Sequence, residues 1–79
     1  MPTLLDRKSW KITMYFGDHN PPHFHIVTKT GQEAQIAIAT LTVMAGEVDK
    51  RVLDAVIEWA SKNKTLLLVK WLQYRLPPE

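Results

Sequence analysis

A change of hydrophobic period in mid-chain constrains this fold more than any other feature. Between Trp10 and Phe16 the side chains alternate, with Trp10, Ile12, Met14 and Phe16 on one side and Lys11, Thr13 and Tyr15 on the other. That is the pattern of a half-buried strand. From Val48 onward, Val52, Leu53, Val56, Ile57, Trp59 and Ala60 recur at helical spacing instead. A chain that alternates first and turns helical later is expected to be α+β, with strands and helices segregated along the sequence.

The remaining strands follow from the same parity rule. His23 to Lys29 forms a second, with Phe24, Ile26 and Thr28 on one face and His23, His25 and Val27 on the other. Ala34 to Thr40 forms a third, and Leu41 to Met44 adds a short fourth before Gly46 breaks the pattern. The apolar faces of a hairpin must coincide, and a three-residue loop at Thr30, Gly31 and Gln32 achieves this. It pairs Ile26 with Ile36 and Phe24 with Ile38. On the opposite face it sets His25 against Ala37 and His23 against Ala39, so small side chains leave room above the two imidazoles. After the Val48 helix, which carries Asp49 at its positive end, Asn63 is placed to cap a last helix over Lys64 to Arg75, ending before Pro77 and Pro78. The expected fold is a small antiparallel sheet of three or four strands followed by two C-terminal helices packed on one face. Its 79 residues make a single domain, 1–79.

The last helix is apolar around most of its circumference, and only Lys70, Gln73 and Arg75 interrupt Leu66, Leu67, Leu68, Val69, Trp71, Leu72 and Tyr74. Such a helix is normally buried on more than one side. It reads either as a tightly wrapped core helix or as a surface for a small partner protein or a homodimer. The chain has no cysteine, so it cannot rely on disulfides, and this fits a reducing cytoplasm. Its first residues form neither a signal peptide nor a membrane span, so a soluble cytoplasmic protein without membrane association is expected. The net charge of +2 does not by itself argue nucleic-acid binding. Arg7, Lys8 and Lys11 near the start and Lys62, Lys64, Lys70 and Arg75 near the end would track phosphates if the fold brought them together.

Chemistry concentrates in the stretch DHNPPHFH, Asp18 to His25, which holds all three histidines of the chain. His23 and His25 share one face of a strand, so one ion can reach both. The preceding turn folds back, which lets His19 or Asp18 complete a three-ligand shell for a divalent transition metal, zinc or similar. Asp18 alternatively holds a ring nitrogen as an outer acceptor. Gly17, Asp18, Asn20, Pro21 and Pro22 are dense turn formers, and the two prolines restrict the loop before anything binds. A second reading needs no metal: His23 and His25, with His19 nearby, act as base and acid on an RNA phosphodiester, with Lys11, Lys29 or another cation as clamp. A third treats the segment as a recognition loop for protein or nucleic acid in which the histidines only give shape. Glu33 faces the histidine side but is read as a surface partner of Lys29. Trp59 and Trp71 are read as core. No nucleotide loop, serine elbow or thiol motif occurs.

From Met14 through the DHNPPHFH turn, the Ile36-Ala37-Ile38 strand, the Gly46-Glu47 break, Glu58-Trp59-Ala60 and the late Leu67 to Trp71 segment, the chain resembles a widespread bacterial domain-of-unknown-function family. The hallmark of that family is a DH-x-PPHFH turn, which maps onto Asp18, His19, Pro21, Pro22, His23, Phe24 and His25 without departure. The resemblance spans roughly Ile12 to Trp71. It implies a stand-alone protein of this size, encoded beside a second small protein in a pair that looks like a toxin-antitoxin module. It also implies that those motif residues carry the function.

Overall fold

Alternation in the first half of the chain does build a sheet, and helical spacing in the second half builds two helices. The computed structural model describes residues 3–15 and 21–75, the side chain of Arg75 excepted. Its elements are β1 (Thr3–Asp6), β2 (Trp10–Thr13), β3 (His23–Thr28), β4 (Glu33–Ala37), β5 (Val43–Glu47), α1 (Lys50–Ser61) and α2 (Lys64–Arg75). The strands form one antiparallel meander in the order β1-β2-β3-β4-β5. The α+β class holds, with five strands instead of three or four. The additional strand, β1, carries no alternation. It is a short edge paired to β2 through the backbone, with a register irregularity between Thr3 and Leu5.

Opposed residues share a face, which makes Ile12, Ile26 and Ala34 one buried row and Phe24 and Ile36 the next, all at 0 % exposure. Met14, Ile38, Val56, Ala60, Leu67 and Trp71 complete most of the core. The β3–β4 register differs from expectation by two positions on the partner strand: Phe24 faces Ile36, His25 faces Gln35 and His23 faces Ala37. The loop is Lys29-Thr30-Gly31, closed by Thr28 N donating to Gln32 O at 2.9 Å, with Gly31 at φ 92°. A three-residue hairpin of this kind ends on a left-handed residue, so glycine belongs at its third position and not its second. The shift preserves parity, so the apolar faces still coincide. It replaces the expected alanine opposite His25 with glutamine.

β4 ends three residues earlier than expected, because the chain turns at Ile38. Leu41 N donates to Ala37 O at 2.8 Å, Leu41 takes φ 55°, and Ala37 N donates to Thr42 O at 2.9 Å. Gly46 does not end the sheet either. It lies inside β5 opposite Ala34 at φ 78°, where an added Cβ would collide with the Glu33 carbonyl oxygen and come within 2.9 Å of Ala34 Cα. Here glycine allows close backbone approach within a strand.

Asp49 caps α1, its Oδ1 accepting from Arg51 N at 2.8 Å, while its own N–H donates to Gln32 Oε1 at 2.9 Å and ties the helix start to the β3–β4 loop. At the α1–α2 corner, Asn63 O accepts the first α2 bond from Leu67 N at 3.0 Å, the Ncap backbone position. Its side chain instead donates to Trp59 O at 2.8 Å, so it closes the end of α1. α2 is covered on one side only. Asn63, Leu67, Trp71 and Tyr74 form the inward stripe at helical spacing, whereas Leu66, Leu68, Val69 and Leu72 are 41 to 61 % exposed. Of the two readings of this helix, the tightly wrapped core helix is therefore not what the chain itself builds. Among the described residues, no helix is long and apolar enough to cross a membrane.

Candidate functional site

The PPHFH half of the motif enters β3 through two backbone ties. Pro22 O accepts from Ile38 N at 3.0 Å, extending the β3–β4 pairing, and Pro21 O accepts from the His23 ring at 2.7 Å. Proline suits these positions because it has no N–H to satisfy and presets φ. Asp18 and His19, expected to complete the site, lie outside the described residues.

His23 and His25 do converge, as strand parity predicts. Their ring centroids are 5.2 Å apart at an interplanar angle of 56°. They are not on a solvent face: His23 is 1 % and His25 is 6 % exposed. Phe24 and Ile26 are also fully buried, so β3 is covered on both sides. His23 packs against the indole of Trp71, with centroids 5.2 Å apart, and the rings of Tyr15 and His25 meet edge to face with centroids 4.4 Å apart. α2 thus contributes an aromatic wall to a site that the sequence locates only on the loop and strand.

The ring nitrogens can be assigned from their partners. Pro21 O can only accept, so His23 Nδ1 carries the proton it donates there. His25 Nδ1 stands 3.5 Å from Glu33 Oε1, an ion-pair distance when the ring is protonated. Glu33 sits diagonally from His25 across the β3–β4 pair, because Val27 opposes Glu33 and His25 opposes Gln35. Glu33 is a surface residue, as expected, but it lies beside His25, a contact that the expected pairing with Lys29 did not include. The correct loop register, set by Gly31, was the available signal.

Two buried polar atoms complete the surroundings. Thr13, opposite His25 on β2, has its Oγ1 buried without a hydrogen-bond partner among the described residues, and so does Trp71 Nε1. Buried polar groups are nearly always satisfied, so such atoms mark places where water or ligand is expected. Thr13 shares the histidine face by strand parity, and Trp71 touches His23, so both belong to one neighbourhood. Among the described residues, no group of three histidine, cysteine, aspartate or glutamate side chains is arranged to hold a metal ion.

No curated protein and no solved structure matches the chain. The family model described as a domain of unknown function, DUF4160, matches residues 9–72, which include Tyr15, the whole Asp18–His25 segment, Glu33 and Trp71. By a match over most of its length, the chain belongs to the DUF4160 family.

Proposed function

We propose that this protein is the cytoplasmic member of a bacterial two-protein, toxin-antitoxin-like module, and that its Asp18–His25 segment forms a centre for a divalent transition metal. His23 and His25 supply two ligands, and His19 or Asp18 completes the shell. The observation that carries the metal reading is the separation of the two rings. Imidazoles bound to one tetrahedral ion at about 2.0 to 2.1 Å place their centroids about 5 Å apart, and here the distance is 5.2 Å. The donor chemistry also fits. Pro21 O on His23 Nδ1 is the kind of outer acceptor that metal-binding imidazoles commonly use, and Glu33 stands within ion-pair distance of His25 Nδ1. Burial favours a small ion over an RNA phosphodiester as the group in contact with these rings, since both are nearly closed to solvent.

A divalent ion held here would supply a Lewis acid and lower the pKa of bound water. The chain's own contribution is to orient the rings and to limit water access from the Trp71 side. The partner reading draws on the gene pairing that the family resemblance implies and on the uncovered apolar face of α2. The test is metal analysis of purified protein, with thermal melts in chelator, zinc, nickel and manganese. Wild type should carry stoichiometric metal and melt higher with it, and His25→Gln should lose the metal-dependent shift while keeping the metal-free melt. Absence of metal together with unshifted melts would remove the metal role. RNA cleavage that persists in chelator but is lost on His23→Gln would put the metal-free acid-base reading in its place.

A further inference from the structure

The β1–β2 turn, away from the imidazole pair, carries the strongest surface feature that the site does not use. Two clefts of about 310 Å³ each meet there. One is walled by Arg7, Lys11, Lys29 and Trp10, the other by Arg7, Trp10, Trp59 and Lys62. Because Arg7 and Trp10 belong to both, the clefts adjoin around the β1–β2 turn, one reaching towards the β3–β4 loop and the other to the end of α1. The fold thus joins the N-terminal cations to Lys62, which lies 55 positions from Arg7 in the chain. The support is rigid: Arg7 N donates to Trp10 O at 2.8 Å, and Lys29 N to Ser9 O at 3.1 Å, tying the two turns together.

The charge distribution is uneven. With Lys8 in the turn, five of the ten cations lie at this end against two acids, Asp6 and Glu58, while the rest of the chain holds five cations and six acids. Glu58 stands 3.6 Å from Lys62, but both side chains are more than 70 % exposed, so the pair is weak and Lys62 is available to another anion. The cross-strand row runs Asp6, Lys11, Val27, Glu33, Glu47, so acids flank Lys11 at β1 and again from β4 onward, and an anionic ligand is directed to Lys11, Lys29 and the Arg7 turn between them. Trp10 and Trp59 are half-buried, leaving part of each indole open between cations.

We infer that this surface binds single-stranded nucleic acid, with Arg7, Lys11, Lys29 and Lys62 on phosphates and the two indoles stacking on bases. Cations that track a backbone, interleaved with aromatic faces, are the combination that holds unpaired strands without sequence preference. A duplex hides its bases and gains nothing from the indoles. The clefts are open and near the lower size limit of small-molecule sites, which suits a strand passing over them.

The test is fluorescence anisotropy of the full chain with labelled twelve-residue oligouridylate and oligothymidylate, across salt from about 50 to 200 mM. Contact with four phosphates at about −0.7 each predicts a log-log salt slope of about −3. Arg7→Glu with Lys29→Glu should weaken binding at least tenfold and flatten the slope by about 1.4, two contacts' worth. Both changes are on exposed side chains, so the melt should stay unchanged. Trp10→Leu should weaken binding with the slope kept, which separates stacking from charge. Tighter binding of the uridylate strand would assign the ligand as RNA, and equal binding would assign recognition to backbone and bases alone. Affinity that survives the double charge reversal within twofold would overturn the inference. So would equal affinity for a duplex of the same length or for heparin, since the surface would then be a general polyanion contact. None of these results depends on metal at the histidines, so this proposal and the metal reading fail separately.

Discussion

Thr13 faces His25 with a hydroxyl that is buried and has no hydrogen-bond partner among the described residues. An unsatisfied buried hydroxyl costs about 1 to 3 kcal/mol, and valine has the same shape without it. Thr13→Val should therefore stabilise the metal-free protein by about 1 kcal/mol in urea unfolding, and a loss of stability would show that the hydroxyl has a partner in solution. The two described glycines make a second residue-level contrast. Gly31 and Gly46 both have positive φ, but a Cβ at Gly31 meets nothing within 4 Å, whereas at Gly46 it strikes the backbone of Glu33 and Ala34. Gly31→Ala should cost about 1 kcal/mol, the left-handed penalty alone. Gly46→Ala adds a clash that rigid backbone cannot relieve, so a cost of about 3 kcal/mol is expected by the same unfolding measurement. Equal costs at the two positions would refute the close approach of β5 to β4.

At the scale of elements, α2 links the fold to the site. Trp71 is 2 % exposed and lies against His23, so Trp71→Ala should cost about 3 to 5 kcal/mol and weaken metal retention as well. Leu72, on the same helix, is 61 % exposed. Leu72→Glu should leave stability within about 0.5 kcal/mol but, on the proposed two-protein module, abolish co-purification with the partner. Co-purification that survives this change would move the partner to another surface. At the helix corner, Asn63→Ala removes the 2.8 Å bond to Trp59 O and should cost about 1 kcal/mol. All three results follow from which α2 stripe is covered, and composition does not decide that. Leu66, Leu67 and Leu68 are identical in type, yet only Leu67 is buried.

For the whole molecule, size sets what a ligand can do. A core of this length supplies about 3 to 5 kcal/mol of net stability. Saturating an ion site at a hundredfold excess over Kd adds about 2.7 kcal/mol, a large share of that total. Each kcal/mol moves the midpoint of a domain this small by about 4 to 8 °C, so metal-loaded protein should melt at least about 10 °C above the chelated form. A shift of about 1 °C or less would mean that no ion is bound in the folded state. The molecule also separates its candidate sites, with buried imidazoles at the start of β3 and exposed cations at the β1–β2 turn.

What the sequence determined by itself was local. Alternation and helical spacing set the class and order of elements, α2 spans Lys64–Arg75 as its polar start and following prolines predict, and strand parity brought His23 and His25 onto one face. Each of these depends on neighbours within a few positions, where covalent geometry dictates which side chains share a side. Tertiary structure decided what parity leaves open. A slip of two residues keeps every face correct, so only the assembled loop could set Gln35, and not Ala37, opposite His25 and bring Glu33 to its ring. β1 has no pattern of its own and exists because β2 offers it backbone partners. The burial of both histidines comes from residues distant in sequence, Trp71 above all, and a strand read alone has no information about what will cover it.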